Sequence, residues 1–209
     1  MTDSLKVALA QLNPKVGDVD SNLAKVRAAR AEAKKQGADL VITAELVLAG
    51  YFPEDLVLKP AFQQQCEEAV EALRADTRDG GPALFVTTPW REDGKLYNAI
   101  IALDKGEIVG RRYKVDLPNY GVFDDKRVFA PGPMPGPLVF KGVRIGVPIC
   151  EDMWTPDVVE CIGETGGEIL LVPNGSPFEV GKFDQRVQLG VKRVIESGLP
   201  LAYVNQVGG

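Results

Sequence analysis

Val143-Arg144-Ile145-Gly146-Val147-Pro148-Ile149-Cys150-Glu151-Asp152-Met153-Trp154 begins as an apolar strand, reaches a thiol and continues into two carboxylates. A buried strand that gives way to a turn and then a helix is the repeating unit of an α/β protein. A thiol at such a junction can face a cavity while its neighbours stay packed. The chain has no histidine. Cysteine–histidine and serine–histidine–aspartate chemistry are therefore excluded, and a reactive Cys150 has to hand its proton to a carboxylate or an amine. A free cysteine is most often an inert buried hydrophobe, which is the reading of Cys66 and Cys161. Cys150 stands apart because Glu151 and Asp152 adjoin it. A following helix, capped by Thr155 with Pro156 at its first position, would also favour a thiolate. Asp152 reads as a carboxylate near the positive end of that helix. The backbone N–H of Glu151, next after the thiol, is a natural oxyanion donor whatever its side chain does.

Outward from this stretch, strand-like apolar runs alternate with helix-like periodic segments. The spacing predicts a strand over 6–12, stopped by Asn13-Pro14, then a helix capped by Ser21 with Leu23, Val26, Ala29 and Ala33 on one face and Gly37 past its end. A strand over 39–43 follows. Pro60 then opens a helix whose stripe is Phe62, Cys66, Ala69, Val70 and Leu73. Strands are predicted over 83–88, 97–103 and 108–113, the last two joined by the hairpin turn Asp104-Lys105-Gly106-Glu107. A loop rich in proline and glycine leads to the strand before Cys150. Beyond it come a strand over 168–172, a helix carrying Phe183, Val187, Val191, Val194 and Ile195 on its apolar face, and a final strand over 199–205. Near-continuous apolar strands imply burial on both faces and hence α/β layering. The chain stops at Val207-Gly208-Gly209 directly after a strand, so a fragment of a longer protein is the expectation.

The 209 residues suffice for one domain with a real core. A net charge of −5 argues against nucleic acid as the main partner, and no apolar run is long enough to cross a bilayer. The cysteines lack paired spacing and the N-terminus lacks a signal-peptide pattern, so a reducing, cytoplasmic compartment is expected. Two further residues are too polar for their positions. Glu45 follows a buried run and reads either as a strand-end carboxylate turned to solvent or as a buried general base. Lys114 ends a strand and reads either as an exposed lysine or as a fixed cation that lowers the thiol pKa and holds a reacting carbonyl oxygen.

Glu45, Lys114 and Cys150 occur in the order and context of the nitrilase superfamily, the carbon–nitrogen hydrolases. Gly50-Tyr51-Phe52-Pro53-Glu54-Asp55-Leu56 resembles the GYPPEDL stretch of the glutaminase domains of glutamine-dependent NAD synthetases. Leu117-Pro118-Asn119-Tyr120-Gly121-Val122-Phe123-Asp124, Cys150-Glu151-Asp152-Met153-Trp154 and Asn174-Gly175-Ser176-Pro177-Phe178 resemble the same group, and the likeness runs from Lys6 to Gly209.

The resemblance implies a four-layer α-β-β-α sandwich. It implies that residues 1–209 form a nitrilase-like glutamine amidohydrolase domain, with further C-terminal strands and an ATP-dependent synthetase domain of the same polypeptide lying beyond this chain. It implies Glu45 as general base, Lys114 as stabilising cation and Cys150 as nucleophile, with Tyr120, Ser176 and Lys182 at positions that hold the α-amino and α-carboxylate groups of glutamine. Glu151 and Asp125 complete the expected substrate contacts. Asp125 stands where the family usually has glutamate. It is one methylene shorter, so contact with the lysine through water, or none, is the expectation. The domain itself is expected to need no cofactor and no metal. ATP, Mg and deamido-NAD belong to the synthetase part, and no Ser-Gly-Gly-x-Asp-Ser pyrophosphate loop occurs here. A homo-oligomer is implied as well. The alternatives are a stand-alone hydrolase of another small amide, or an inactive sandwich used as an assembly module.

Overall fold

A computed structural model describes residues 4–208. The elements run β1 (Val7–Ala10), α1 (Val19–Lys35), β2 (Leu40–Thr43), α2 (Pro60–Asp76), β3 (Ala83–Glu92), β4 (Lys95–Asp104), β5 (Glu107–Tyr113), α3 (Asp125–Val128), β6 (Leu138–Phe140), β7 (Val143–Gly146), α4 (Asp157–Glu164), β8 (Ile169–Asn174), α5 (Lys182–Ser197) and β9 (Leu201–Asn205). One sheet has the order β1-β2-β3-β4-β5 and the other β6-β7-β8-β9. In the first, β1, β2 and β3 are parallel while β4 runs against both β3 and β5. In the second, β7, β8 and β9 are parallel and β6 is the antiparallel edge.

Period-two alternation assigns each strand residue to a layer. Leu40, Ile42, Phe85, Ile100 and Ala102 point inward, where they meet Leu138, Phe140, Ile145, Leu171 and Val204 of the second sheet. Their neighbours Val41, Leu84, Val86, Ile101 and Leu103 point outward against Val26 of α1 and Phe62, Cys66 and Leu73 of α2. On the far side, Val158, Val159 and Ile162 of α4 cover Leu170 and Val172 of β8. The result is the expected α-β-β-α sandwich.

Several local expectations are corrected. Helix α1 begins at Val19, and its cap is Asp18, whose carboxylate accepts the Ser21 N–H at 3.2 Å. The first turn is drawn down by buried Asn22, whose Nδ2 donates to the carbonyls of Lys15 and Leu48. Strand β3 continues to Glu92 and folds back on β4 through Asp93-Gly94, both at positive φ, the pairing that suits a two-residue hairpin. The proline-rich loop hides β6. Thr155 does not cap a helix: α4 opens at Asp157 after Pro156, and the Thr155 hydroxyl donates to Asp116 at 2.5 Å. The apolar stripe of α5 is not covered. Phe183 and Ile195 are 71% and 75% exposed, and Val187, Val191 and Val194 also face outward. Among the described residues, no helix is long and apolar enough to cross a membrane.

Candidate active site

Parallel strands deliver their C-terminal ends to one edge of a sheet, where loops can gather polar groups. Here β2 leads to Glu45, β5 to Lys114, β7 to Cys150 and β8 to Asn174-Gly175-Ser176. Strand β5 is antiparallel to β4, itself antiparallel to β3, so its end falls on the same edge as that of β2. Sheet order therefore assembles residues that are far apart in the chain.

Glu45, Lys114 and Asp125 are all fully buried. The Lys114 ammonium donates to Glu45 Oε1 at 2.7 Å and to Asp125 Oδ2 at 2.7 Å. Asp125 thus reaches the lysine directly, contrary to the expectation from its shorter side chain. The short helix α3 begins at Asp125 itself and carries its carboxyl inward. Two of the three ammonium protons are used, which leaves one for a substrate oxygen. Burial alone would pull the Lys114 ammonium down. The Glu45 carboxylate, the Cys150 sulfur and Asp125 together outweigh it and hold the pKa above the ordinary lysine range. Burial also raises the Asp125 carboxyl, against the pull of Lys114.

Cys150 opens a 3-10 turn over Cys150–Met153 at φ 49°, a left-handed conformation that costs a non-glycine residue about 1 kcal/mol or more. The polar groups that act on its sulfur come from Glu45, Lys114 and the Gly175 N–H. The expectation of a thiolate is corrected. Burial pushes the thiol well above its ordinary range and Glu45 adds to this, while Lys114 and Gly175 pull the other way and are outweighed. No helix dipole compensates, because α4 starts only at Asp157. Gly175 has no room for a side chain: a Cβ there would stand 2.9 Å from Glu45 Oε2 and from the Tyr51 ring.

Asp152 does more than sit near a helix end. Its Oδ1 accepts the N–H groups of Val115 and Asp116 at 2.9 and 2.7 Å, and its Oδ2 accepts the Ile149 N–H at 2.9 Å. The carboxylate clamps the Lys114 segment to the Cys150 turn. Burial nevertheless pushes its pKa up to about 7 against these donors.

The remaining expected contacts lie around this centre. The Tyr120 hydroxyl donates to Glu151 Oε1 at 2.9 Å. The Tyr120 ring meets Phe123 edge-on at 5.5 Å, and the Lys182 ammonium lies 5.6 Å from the Phe123 ring centre. Ser176 is buried, and its hydroxyl, like Glu45 Oε2 and Asp125 Oδ1, has no protein hydrogen-bond partner. Among the described residues, no group of His, Cys, Asp or Glu has the arrangement of a metal site. Two contributors escaped the sequence reading. Asn98 on β4 donates from Nδ2 to Glu45 Oε1 at 2.8 Å, and Tyr51 brings a buried hydroxyl toward Glu45. The available signal for Asn98 was a primary amide inside the apolar run 97–103.

The family profile described as carbon-nitrogen hydrolase matches residues 6–209. The chain is 46% identical over 209 residues to the glutamine-dependent NAD(+) synthetase of Rhodobacter capsulatus, covering 100% of this chain and 38% of that one. The glutamine-dependent NAD+ synthetase of Acinetobacter baumannii, solved with ADP, superposes with a TM-score of 0.93 at 38% identity, over 98% of this chain and 39% of the other. An amidase from Nesterenkonia sp. superposes with a TM-score of 0.88 at 30% identity, over 98% of this chain and 77% of that one. A variant of that amidase carries the product of Michael addition of acrylamide at its active site cysteine. The chain spans about 38% of the length of the curated relatives it matches.

Proposed function

The chain belongs to the carbon–nitrogen hydrolase family, and from that premise we propose that it hydrolyses the side-chain amide of glutamine through a thioester on Cys150. The observation that carries this reading is the Lys114 ammonium held between Glu45 and Asp125, 2.7 Å from each, beside a buried thiol. The Cys150 sulfur attacks the amide carbon while its proton passes to Glu45. The developing oxyanion is held by the third Lys114 N–H and by the Glu151 backbone N–H, each such donor being worth about 3 kcal/mol. The C–N bond then breaks as Glu45 returns the proton to nitrogen, and ammonia leaves. Water next gives a proton to Glu45 and attacks the thioester carbon. The C–S bond breaks, the sulfur regains its proton and glutamate departs. Asp125 fixes Lys114 and offers Oδ1 to the amide N–H. Glu151 with Tyr120 faces the α-ammonium of the substrate, and Lys182 with Ser176 faces its α-carboxylate.

In this proposal residues 1–209 are the amidohydrolase domain of a cytoplasmic, homo-oligomeric protein. Its ammonia feeds a synthetase domain of the same polypeptide, which uses ATP and Mg to amidate deamido-NAD. No residue of this chain is assigned to those ligands. The amidase neighbour supports a second reading, a stand-alone hydrolase of another small amide. Ammonia release from glutamine, asparagine, acetamide and propionamide, measured for the parent and for Cys150→Ala, separates the two. Preference for glutamine by at least tenfold in kcat/KM, lost in the variant, is the expected result. Preference for a simple aliphatic amide overturns the first reading and favours the second.

A further inference from the structure

Asn98 is buried on β4, and its only side-chain hydrogen bond among the described residues goes to Glu45. Its Oδ1 has no partner, so the amide belongs to no structural network. Its own backbone carbonyl accepts the Lys114 N–H at 2.8 Å, so one residue touches both the carboxylate and the segment that carries the ammonium. Nδ2 of Asn98 and Nζ of Lys114 converge on the same oxygen, Glu45 Oε1, at 2.8 and 2.7 Å. The other oxygen, Oε2, is left without a partner on the side of Gly175, whose N–H acts on the Cys150 sulfur.

We propose that Asn98 is a positioning residue that fixes the plane of the Glu45 carboxylate, so that Oε2 stays free on the side of Gly175 and the Cys150 turn instead of turning onto Lys114. This rests on the amide-hydrolysis reading. The terminal torsion of a glutamate is broad. With Lys114 as the sole donor, the carboxylate is free to rotate and to embrace the ammonium with both oxygens. That state is a good ion pair and a poor base. Donors arriving at Oε1 from two different residues exclude it. Losing a charge-assisted hydrogen bond and the alignment it enforces corresponds to about a 10- to 100-fold loss in rate. The titratable groups gathered around this centre are Glu45, Lys114, Asp125, Cys150, Tyr51, Glu151 and Asp152.

The test compares the parent with Asn98→Leu and Asn98→Asp, both with the same number and branching of side-chain heavy atoms as asparagine. Asn98→Leu is expected to lower kcat for glutamine about 10- to 100-fold with KM changed less than about threefold and no fall in the thermal midpoint. Asn98→Asp retains the shape but donates only when its new carboxyl is protonated, so its relative activity climbs as pH falls, which the Leu variant does not do. Alkylation by iodoacetamide requires the sulfur to lose its proton, so at pH 7 it also draws on Glu45 as acceptor. That rate, read by mass spectrometry, is expected to fall about tenfold in Asn98→Leu. A parental kcat and alkylation rate in Asn98→Leu overturn the proposal. So does a loss that tracks a lowered thermal midpoint with no acid recovery in Asn98→Asp. If the parent fails to hydrolyse glutamine, the functional reading falls and the alkylation rates alone decide the role of Asn98.

Discussion

At Cys150 the local backbone and the local electrostatics pull in different directions. A left-handed φ of 49° turns the sulfur out of the strand line, while burial and the neighbouring Glu45 carboxylate raise the thiol pKa. In the proposed reaction, attack on the amide is therefore coupled to proton transfer. The absorbance of thiolate at 240 nm, taken as parent minus Cys150→Ala, is expected to rise at higher pH than that of an ordinary thiol of pKa about 8.5. A rise between pH 6 and 8 contradicts this account. Asp125 belongs to the same scale. Replacing it with asparagine removes one of the two anions that compensate the buried ammonium, at a cost of about 3 kcal/mol in stability. Chemical denaturation of Asp125→Asn at pH 7 tests this, and a midpoint equal to that of the parent argues against a direct ion pair.

Among the elements, α1 is tied to the end of α2 by a polar clamp on its outer side. Arg30, nearly buried, donates to the Pro82 carbonyl at 2.9 Å and to Asp79 Oδ1 at 2.7 Å, and Lys34 reaches Asp79 Oδ2 at 2.9 Å. Arg30, the Gly81 N–H and Lys34 hold the Asp79 carboxyl well below the usual range. A carboxylate whose pKa is lower in the folded state stabilises it above its unfolded pKa of about 3.9 and loses that contribution as pH falls below it. The thermal midpoint of the parent is thus expected to exceed that of Asp79→Asn at pH 7, and the gap is expected to narrow progressively as pH falls below about 4 toward the lower folded pKa. Solvent at Asp79, 42% exposed, keeps the gap small. A gap that does not change with pH assigns the effect to packing.

Over the whole molecule, the two sheets share an inner core while the outer layer is uneven. Helix α5 presents Phe183, Val187, Val191, Val194 and Ile195 to the outside, beside Leu201 and Tyr203 of β9, along a groove of about 610 Å³. A contiguous apolar face of this kind binds hydrophobic probes. Enhanced fluorescence of an anilinonaphthalene dye on the folded chain is expected, falling by at least half in a Val187→Lys, Val191→Lys double variant with an unchanged far-ultraviolet circular dichroism spectrum. Equal dye binding by both proteins places the apolar surface elsewhere.

The layering was legible because side-chain pattern is a local property: near-continuous apolar runs along 40–43 and 97–103 state burial on both faces of a strand, and the 3.6-residue stripe of α2 states which face of the helix is buried. Glu45, Lys114 and Cys150 stood out because charge and reactive sulfur at the ends of apolar runs are locally anomalous. The Ser21 cap failed because Asp18, three residues earlier, already caps the helix by accepting the Ser21 N–H, and the exposure of the α5 stripe was not legible because periodicity marks an apolar face without saying what covers it. Sequence by itself determined the strand–helix order, the absence of imidazole chemistry and the segments that bear polar groups. Only the tertiary structure decided that Asn98 and Asp125 contact Glu45 and Lys114, that Asp152 joins two loops, and that burial raises the thiol pKa. Each of these depends on which strand ends share an edge and how much water they exclude, and strand order and burial are set by contacts between residues far apart in the chain.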